Sequence, residues 1–150
     1  TTPHDYHLVN PKIRIIGISM DQGAAMIESQ KAGKPVAIPE VPTLADSLGG
    51  GIGLSNVYTF EMVKELVDDL IVVSEVEIAN AIRHAYWEEK LVIEGSGSVG
   101  IAALLAGKVK NAGRCVSLIS GLNIDMKLHK RIIDGENVNV ALEQGGSGDA

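Results

Sequence analysis

Asp68-Asp69-Leu70-Ile71-Val72-Val73-Ser74-Glu75-Val76-Glu77-Ile78 is the stretch from which the fold is read. Asp68-Asp69 turns the chain into a strand at Leu70 to Val73, a short apolar run rich in β-branched side chains. Ser74 followed three residues later by Glu77 has the form of a capping box: the serine oxygen takes the amide hydrogen of Glu77, and the glutamate reaches back to Ser74. The helix so opened is predicted to bury Ile78, Ala79, Ile82, Ala85 and Tyr86. A buried strand that runs directly into a capped helix is the building unit of an α/β fold.

The same alternation extends in both directions. Upstream, Ile13 to Ser19 (IRIIGIS) reads as a buried strand, and Gly23 to Gln30 follows at helical spacing with Gly33 as its stop. An irregular crossing from Lys34 to Ser55 contains three of the five prolines and the run Gly49-Gly50-Gly51; irregular segments of this length inside a domain tend to be functional. Thr59 is the expected cap of a helix whose apolar positions are Phe60, Val63, Leu66, Val67 and Leu70. Downstream, Leu91 to Glu94 and Cys115 to Ile119 are expected strands, and Gly95 to Gly100 leads into a helix ending near Gly107. Asp125 to Ile133 is an expected helix, and Val138 to Leu142 a last strand. Residues 1–10 read as an unpatterned lead-in and 143–150 as a flexible Gly-Ser tail. The whole reads as one α/β domain over residues 1–150, three-layered, with helices on both faces of a mainly parallel sheet.

Composition agrees with that reading. With 45% hydrophobic but only 3% aromatic residues, the core must be built from Val, Ile, Leu and Ala, as in buried parallel strands. A formal charge of -6 and a pI near 5.1 argue against nucleic acid and anionic membranes as partners. There is no apolar stretch long enough to span a bilayer, and a cytoplasmic location is expected. The single cysteine, Cys115, lies in an apolar run and is expected to be buried. His4 and His7 lack the companions of a metal site, and His84 is expected on a solvated helix face. No metal is expected.

Two features carry possible chemistry. Gly95-Ser96-Gly97-Ser98-Val99-Gly100 matches G-x-G-x-x-G between an expected strand and helix, the pattern of a dinucleotide-binding turn. The acidic residue that should end the following strand is replaced by Ser120, which weakens that reading. Glu94 and Ser120 themselves stand at the ends of expected strands, the edge where open α/β sheets place ligands.

Taken in order and spacing, Thr43 to Leu48, Glu65 to Asp69, Val73 to Ile78, Val92 to Gly97 and Ser120 to Asp125 resemble the threonine dehydratase and serine racemase family of fold-type-II pyridoxal-phosphate enzymes. The resemblance covers about residues 10 to 142. Gly17 to Met26 and Ala45 to Leu54 are similar to its hydroxyectoine-utilisation dehydratase branch. The resemblance implies that Ser120 hydrogen-bonds the pyridine nitrogen, that Glu94 lies close to the ring, and that Gly121 and Asn123 shape the same wall. It implies that Ala45, Asp46, Gly49 and Gly50 belong to a loop bordering the active site. A hydroxyl at the ring nitrogen makes the cofactor a weaker electron sink than a carboxylate does, suited to loss of a β-hydroxyl.

Two departures follow from the same resemblance. Ser19 stands where the family's cation site has an acidic residue. The family's reactive lysine and glycine-rich phosphate cup both precede the strand matched by Ile13 to Ser19, and no lysine of this sequence sits in the family's lysine motif. The expected function is therefore the C-terminal portion of a pyridoxal-phosphate-dependent hydroxy-amino-acid dehydratase, inactive alone and not holding the cofactor stably. The expected partners are further copies of the chain or a complementary N-terminal chain. Two other readings stand beside it: a non-catalytic assembly module, and a dinucleotide-binding protein using Gly95 to Gly100.

Overall fold

A computed structural model describes residues 9–138 together with Tyr6 and Val140. His4, His7, most of the lead-in, the Gly-Ser tail and much of the expected strand from Val138 lie outside the described residues. Two parallel strands, β1 (Ile16–Met20) and β2 (Asp69–Val73), pair in the register Ile16 to Asp69 through Met20 to Val73. The connection between them carries helix α1 (Ala25–Ala32), a 3-10 turn (Asp46–Leu48) and helix α2 (Tyr58–Leu66). Helices α3 (Glu75–Trp87), α4 (Gly95–Leu105) and α5 (Met126–Ile133) follow.

Asp68 and Asp69 do more than turn the chain. The Asp68 carboxylate accepts the Ile15 amide at 2.7 Å and the Asp68 amide donates to the Ile15 carbonyl at 2.9 Å, so the ladder is begun by a side chain. Asp69 lies within β2 and pairs with Arg14 at 3.2 Å. Helix α1 ends at Gly33, whose φ of 72° is the left-handed conformation that a glycine adopts without steric cost. The cap of α2 differs from expectation. Asn56, not Thr59, supplies the oxygen: its Oδ1 accepts the Phe60 amide at 3.2 Å and the Thr59 hydroxyl at 2.7 Å. An amide oxygen four residues ahead reaches the free N–H groups of the first turn, which Thr59, already inside the helix, does not.

The capping box of α3 forms in full. The Glu77 amide donates to Ser74 Oγ at 3.3 Å and the Ser74 amide to Glu77 Oε2 at 2.7 Å. Burial raises the Glu77 pKa, but the Lys108 ammonium at 2.6 Å and the Ser74 amide outweigh it and hold the group below its ordinary value. Replacing Ser74 by alanine is expected to cost about 1 kcal/mol, read as a lower urea midpoint with an unchanged slope.

Helix α3 is the centre of the core. Ile78, Ala79, Ala81, Ile82 and Ala85 are fully buried, and the helix packs on α4 along one side and α5 along another. Alanine on α3, and Ala102 and Ala103 on α4, let the two backbones approach closely, while Ile132 of α5 and Val73 of β2 fill the space between. Tyr86, expected in the core, is half-buried and packs edge-on against Trp87 and the imidazole of His129, with centroids 4.9 and 5.3 Å away.

His129 is itself buried, and its Nε2 has no hydrogen-bond partner. Desolvation depresses its pKa below the ordinary 6.5. Well above pH 6.5 the ring is neutral in both the folded and unfolded states. As the pH falls below that value the unfolded chain takes the proton first, and stability is lost until the folded ring titrates too. The urea midpoint is therefore expected to drop between pH 7.5 and pH 5, with a smaller drop in His129→Phe.

Two expected strands are absent. Leu91 to Glu94 and Cys115 to Ile119 run without ladder pairing among the described residues, joined only at their ends where the Glu94 amide donates to the Gly121 carbonyl at 3.2 Å. Their sequences are strand-like, but a strand exists only where a neighbour takes its main-chain groups, and no described segment forms a ladder with them. For the same reason Cys115, expected to be buried, is exposed.

Candidate active-site cleft

The polypeptide ends that flank α4 meet at one cleft of about 540 Å³, within the size range of small-ligand sites. Its walls come from the crossing loop (Glu40 to Leu44, Asp46, Ser47 and Gly49), from the start of α4 (Glu94, Gly95, Ser96) and from the segment leading into α5 (Asn123, Ile124, Asp125). Ser47 and Glu94, 47 residues apart, and Glu94 and Asn123, 29 apart, are thereby brought to one place.

Glu94 organises this meeting. It stands at the N-cap of α4, yet its carboxylate does not cap the helix. It turns across the cleft instead, accepting the Asn123 amide at Oε2 (3.1 Å) and the Ser47 hydroxyl at Oε1 (3.3 Å). It thus bridges the loop wall and the turn wall. That path is open only because residue 121 is glycine: a Cβ there would lie 2.1 Å from Glu94 Oε1.

The other singled-out residues are placed as follows. Asp46, Gly49 and Asn123 line the cleft with Glu94. Ala45 is fully buried behind the wall, its amide donating to Thr43 Oγ1 at 3.1 Å. Gly50 lies beyond the lining, with a φ of 84° that continues the bend of the loop. Ser120 is exposed and adjoins the cleft through Gly121 without lining it. Sequence reasoning passed over Ser47, Ser96 and Asp125. Ser47 was inside a quoted segment, and Asp125, whose carboxylate caps α5 by accepting the Lys127 and Leu128 amides at 2.9 Å, has a capping signature.

The glycine motif was expected to form a turn before a helix, and the structure corrects this. Gly95, Gly97 and Gly100 all lie inside α4. Each marks a close approach: an added Cβ would stand 2.0 Å from the Leu44 carbonyl oxygen at Gly95, 2.9 Å from the Gly121 carbonyl oxygen at Gly97, and 2.2 Å from Ser117 Oγ at Gly100. The spacing is explained by three segments packed on one helix, and no phosphate-binding turn precedes it.

The donor set defines what the cleft accepts. Ser96 is 7% exposed, lines the cleft, and its hydroxyl oxygen is buried without a partner. A buried hydroxyl lacking a hydrogen bond is costly, so it is a group with bonding capacity to give. Glu40, Asp46, Glu94 and Asp125 also line the cleft, and among the described residues no Lys, Arg or His does. These residues fit the ring edge of pyridoxal phosphate and an amine beside it. They do not form a cup for its doubly charged phosphate. Among the described residues no three His, Cys, Asp or Glu side chains are grouped to hold a metal ion, and no helix is long and apolar enough to cross a membrane.

A parallel strand pair with covering helices and a polar cleft at the start of a glycine-rich helix define an α/β domain with a candidate small-molecule site. Residues 4–121 match the sequence family of pyridoxal-phosphate-dependent enzymes, and the chain belongs to that family. A Sinorhizobium fredii protein carrying a threonine dehydratase name is 55% identical over 128 residues, which cover 85% of this chain and 39% of that protein. The L-threonine ammonia-lyase of Thermotoga maritima is 39% identical over 127 residues, 84% of this chain and 31% of the enzyme. The solved structure of maize serine racemase superposes with a TM-score of 0.73 at 31% identity, covering 86% of this chain and 41% of that one. The chain thus spans well under half the length of these relatives.

Proposed function

We propose that this polypeptide forms the ring-side wall of the active site of a pyridoxal-phosphate-dependent hydroxy-amino-acid ammonia-lyase. The observation that carries the reading is the Glu94 bridge, which holds the crossing loop and the 120–123 turn around one cleft. When bound, pyridoxal phosphate supplies the electron sink for the pair released at the substrate's α-carbon. The protein's own part is positional. Ser96 offers its free hydroxyl to the ring edge, and Ser120 stands next to Gly121 where a hydroxyl, unlike a carboxylate, leaves a ring nitrogen unprotonated. Asp46 and Glu94 place negative charge where a substrate ammonium enters.

The names of the relatives support β-hydroxy amino acids of the threonine and serine class as substrates. No lysine lines the cleft, so the amine that anchors the cofactor comes from polypeptide outside these 150 residues, and the chain by itself is inactive. Incubation with pyridoxal phosphate and then borohydride is expected to leave no cofactor covalently attached, whereas the Sinorhizobium relative retains it. Stoichiometric attachment to one lysine of this chain, found by peptide mass mapping, would refute the reading.

A further inference from the structure

Among the described residues His129 is the one ionisable side chain that is buried, at 1% exposure, and its Nε2 has no hydrogen-bond partner. It sits on α5 beside the cleft. Leu128, just before it, lines the cleft and packs on the core, and Asp125, the cap of the same helix, lines the cleft too. The helix has only eight residues, and the side-chain bonds that tie it to α3 grip its C-terminal end. Arg83 Nε donates to the Ile132 carbonyl at 2.7 Å and Trp87 Nε1 to the Ile133 carbonyl at 3.2 Å. Among the described residues the half that carries Leu128 and His129 has no such tie to α3, and burial of the imidazole holds it there.

A proton on Nε2 would turn an acceptor that lacks a donor into a donor that lacks an acceptor. No neighbouring charge offsets it. From α3 come the Tyr86 ring, edge-on at 5.3 Å, and the Arg83 guanidinium, itself cationic; His84 of that helix pairs with Glu89 at 3.7 Å. Helix α4 has no ionisable side chain. On α5 itself, Lys130 and Arg131 are cations paired with Asp134 and Glu136, and Asp125 is engaged by the Lys127 and Leu128 amides. Glu40, Asp46 and Glu94 line the same cleft as Leu128, a cleft that His129 does not line. The proton is best accommodated where water reaches the ring.

We propose that protonation of His129 releases the N-terminal half of α5 from α3 and so opens one wall of the cleft. The opening depends on no particular ligand and stands apart from the lyase reading. Once in water the ring titrates at its ordinary 6.5. The open state therefore gains about tenfold in population between pH 7.5 and pH 5.5, while the closed ring stays neutral.

The test is native-state amide exchange of the full chain at those two pH values, over urea concentrations below the unfolding transition. Leu128 and His129 are expected to exchange through an opening with a shallower urea dependence than that of Ile82 in α3. Their protection is expected to fall about tenfold on acidification. His129→Phe is expected to leave less than about a twofold fall, with His129→Gln as the second variant should the larger ring not be accepted. His84→Gln is expected to keep the full effect. Equal urea slopes at Leu128, His129 and Ile82 would overturn the proposal, because the proton would then act on global unfolding alone. So would unchanged protection at pH 5.5, a pH dependence that survives in either His129 variant, or protection lost at Asp134 but not at Leu128, which would leave the cleft wall in place.

Discussion

Gly95→Ala is expected to destabilise the domain by about 3 kcal/mol, at the upper end of the usual overpacking range. The added Cβ would lie 2.0 Å from the Leu44 carbonyl oxygen and 2.4 Å from its carbon, so the obstacle is backbone and not the movable end of a side chain. Leu44 has little freedom to retreat, because its amide is bonded to Glu75 Oε2 at 2.7 Å and its side chain is buried. Either the Thr43 to Ala45 segment is pushed off the start of α4 or the helix loses its first residue. Both outcomes open the cleft, since Thr43, Leu44 and Gly95 all line it. Thermal unfolding should shift down by about 6 to 12 °C for a domain of this size. Gly113→Ala is the control: nothing lies within 4 Å of its added Cβ, and it is expected to stay within about 0.5 kcal/mol of the parent. Equal effects of the two substitutions would show that the close approach at Gly95 has no energetic weight.

Glu75→Ala is expected to cost about 2 to 3 kcal/mol, more than any other single polar truncation discussed above. Its carboxylate accepts the Thr43 hydroxyl through one oxygen and the Leu44 amide through the other. Truncation strands both donors, and the Leu44 amide belongs to a residue that is buried. Thr43 Oγ1 in turn accepts the Ala45 amide, so one carboxylate on the first turn of α3 orders three successive residues of the loop. Denaturant titration gives the stability change. Amide exchange locates it, with Leu44 and Ala45 expected to speed up by more than the global change requires. A Glu75→Ala, Thr43→Val pair should show a coupling of about 1 to 2 kcal/mol. Strict additivity would mean that the hydroxyl is satisfied by water and that the loop is held by other contacts.

These expectations bear on the site because the loop has little regular structure of its own. Between Gly33 and Val57 the described elements amount to one 3-10 turn. The cleft wall is therefore only as well ordered as the bonds that reach it from the helices: Glu75 from α3, Glu94 from the start of α4, and the contact of Gly95 with Leu44. Negative side chains and backbone carbonyls meet here without a balancing Lys or Arg. An amine ligand would relieve the repulsion, and a bare phosphate would add to it.

Local patterning made much of this legible. The Ser74–Glu77 box, the Gly33 stop and the buried alanine and isoleucine positions of α3 depend on residues within one or two helical turns, and each formed as read. Of the residues that the motif order singled out, Glu94, Asn123, Asp46 and Gly49 line one cleft, whereas Ser120, Gly121, Ala45 and Gly50 do not line it. What failed depends on distant partners. Leu91 to Glu94 and Cys115 to Ile119 have strand composition, but composition cannot supply a neighbour. Thr59 gave way to Asn56 because competition for free helix amides is settled by where the chain enters. The glycine motif was ambiguous in sequence, since a phosphate-binding turn and a close-packed helix both require a missing Cβ.

By itself the sequence determined the α/β alternation and the capped helix at the centre of the core, because helix caps, periodicity and chemical type are properties of neighbouring residues. Only the tertiary structure decided that Glu94 bridges two walls, that Gly121 exists to let it pass, and that Val116 and Leu118 stand uncovered. Those facts concern which segments come within a few ångströms of one another, and that depends on the packing of the whole chain.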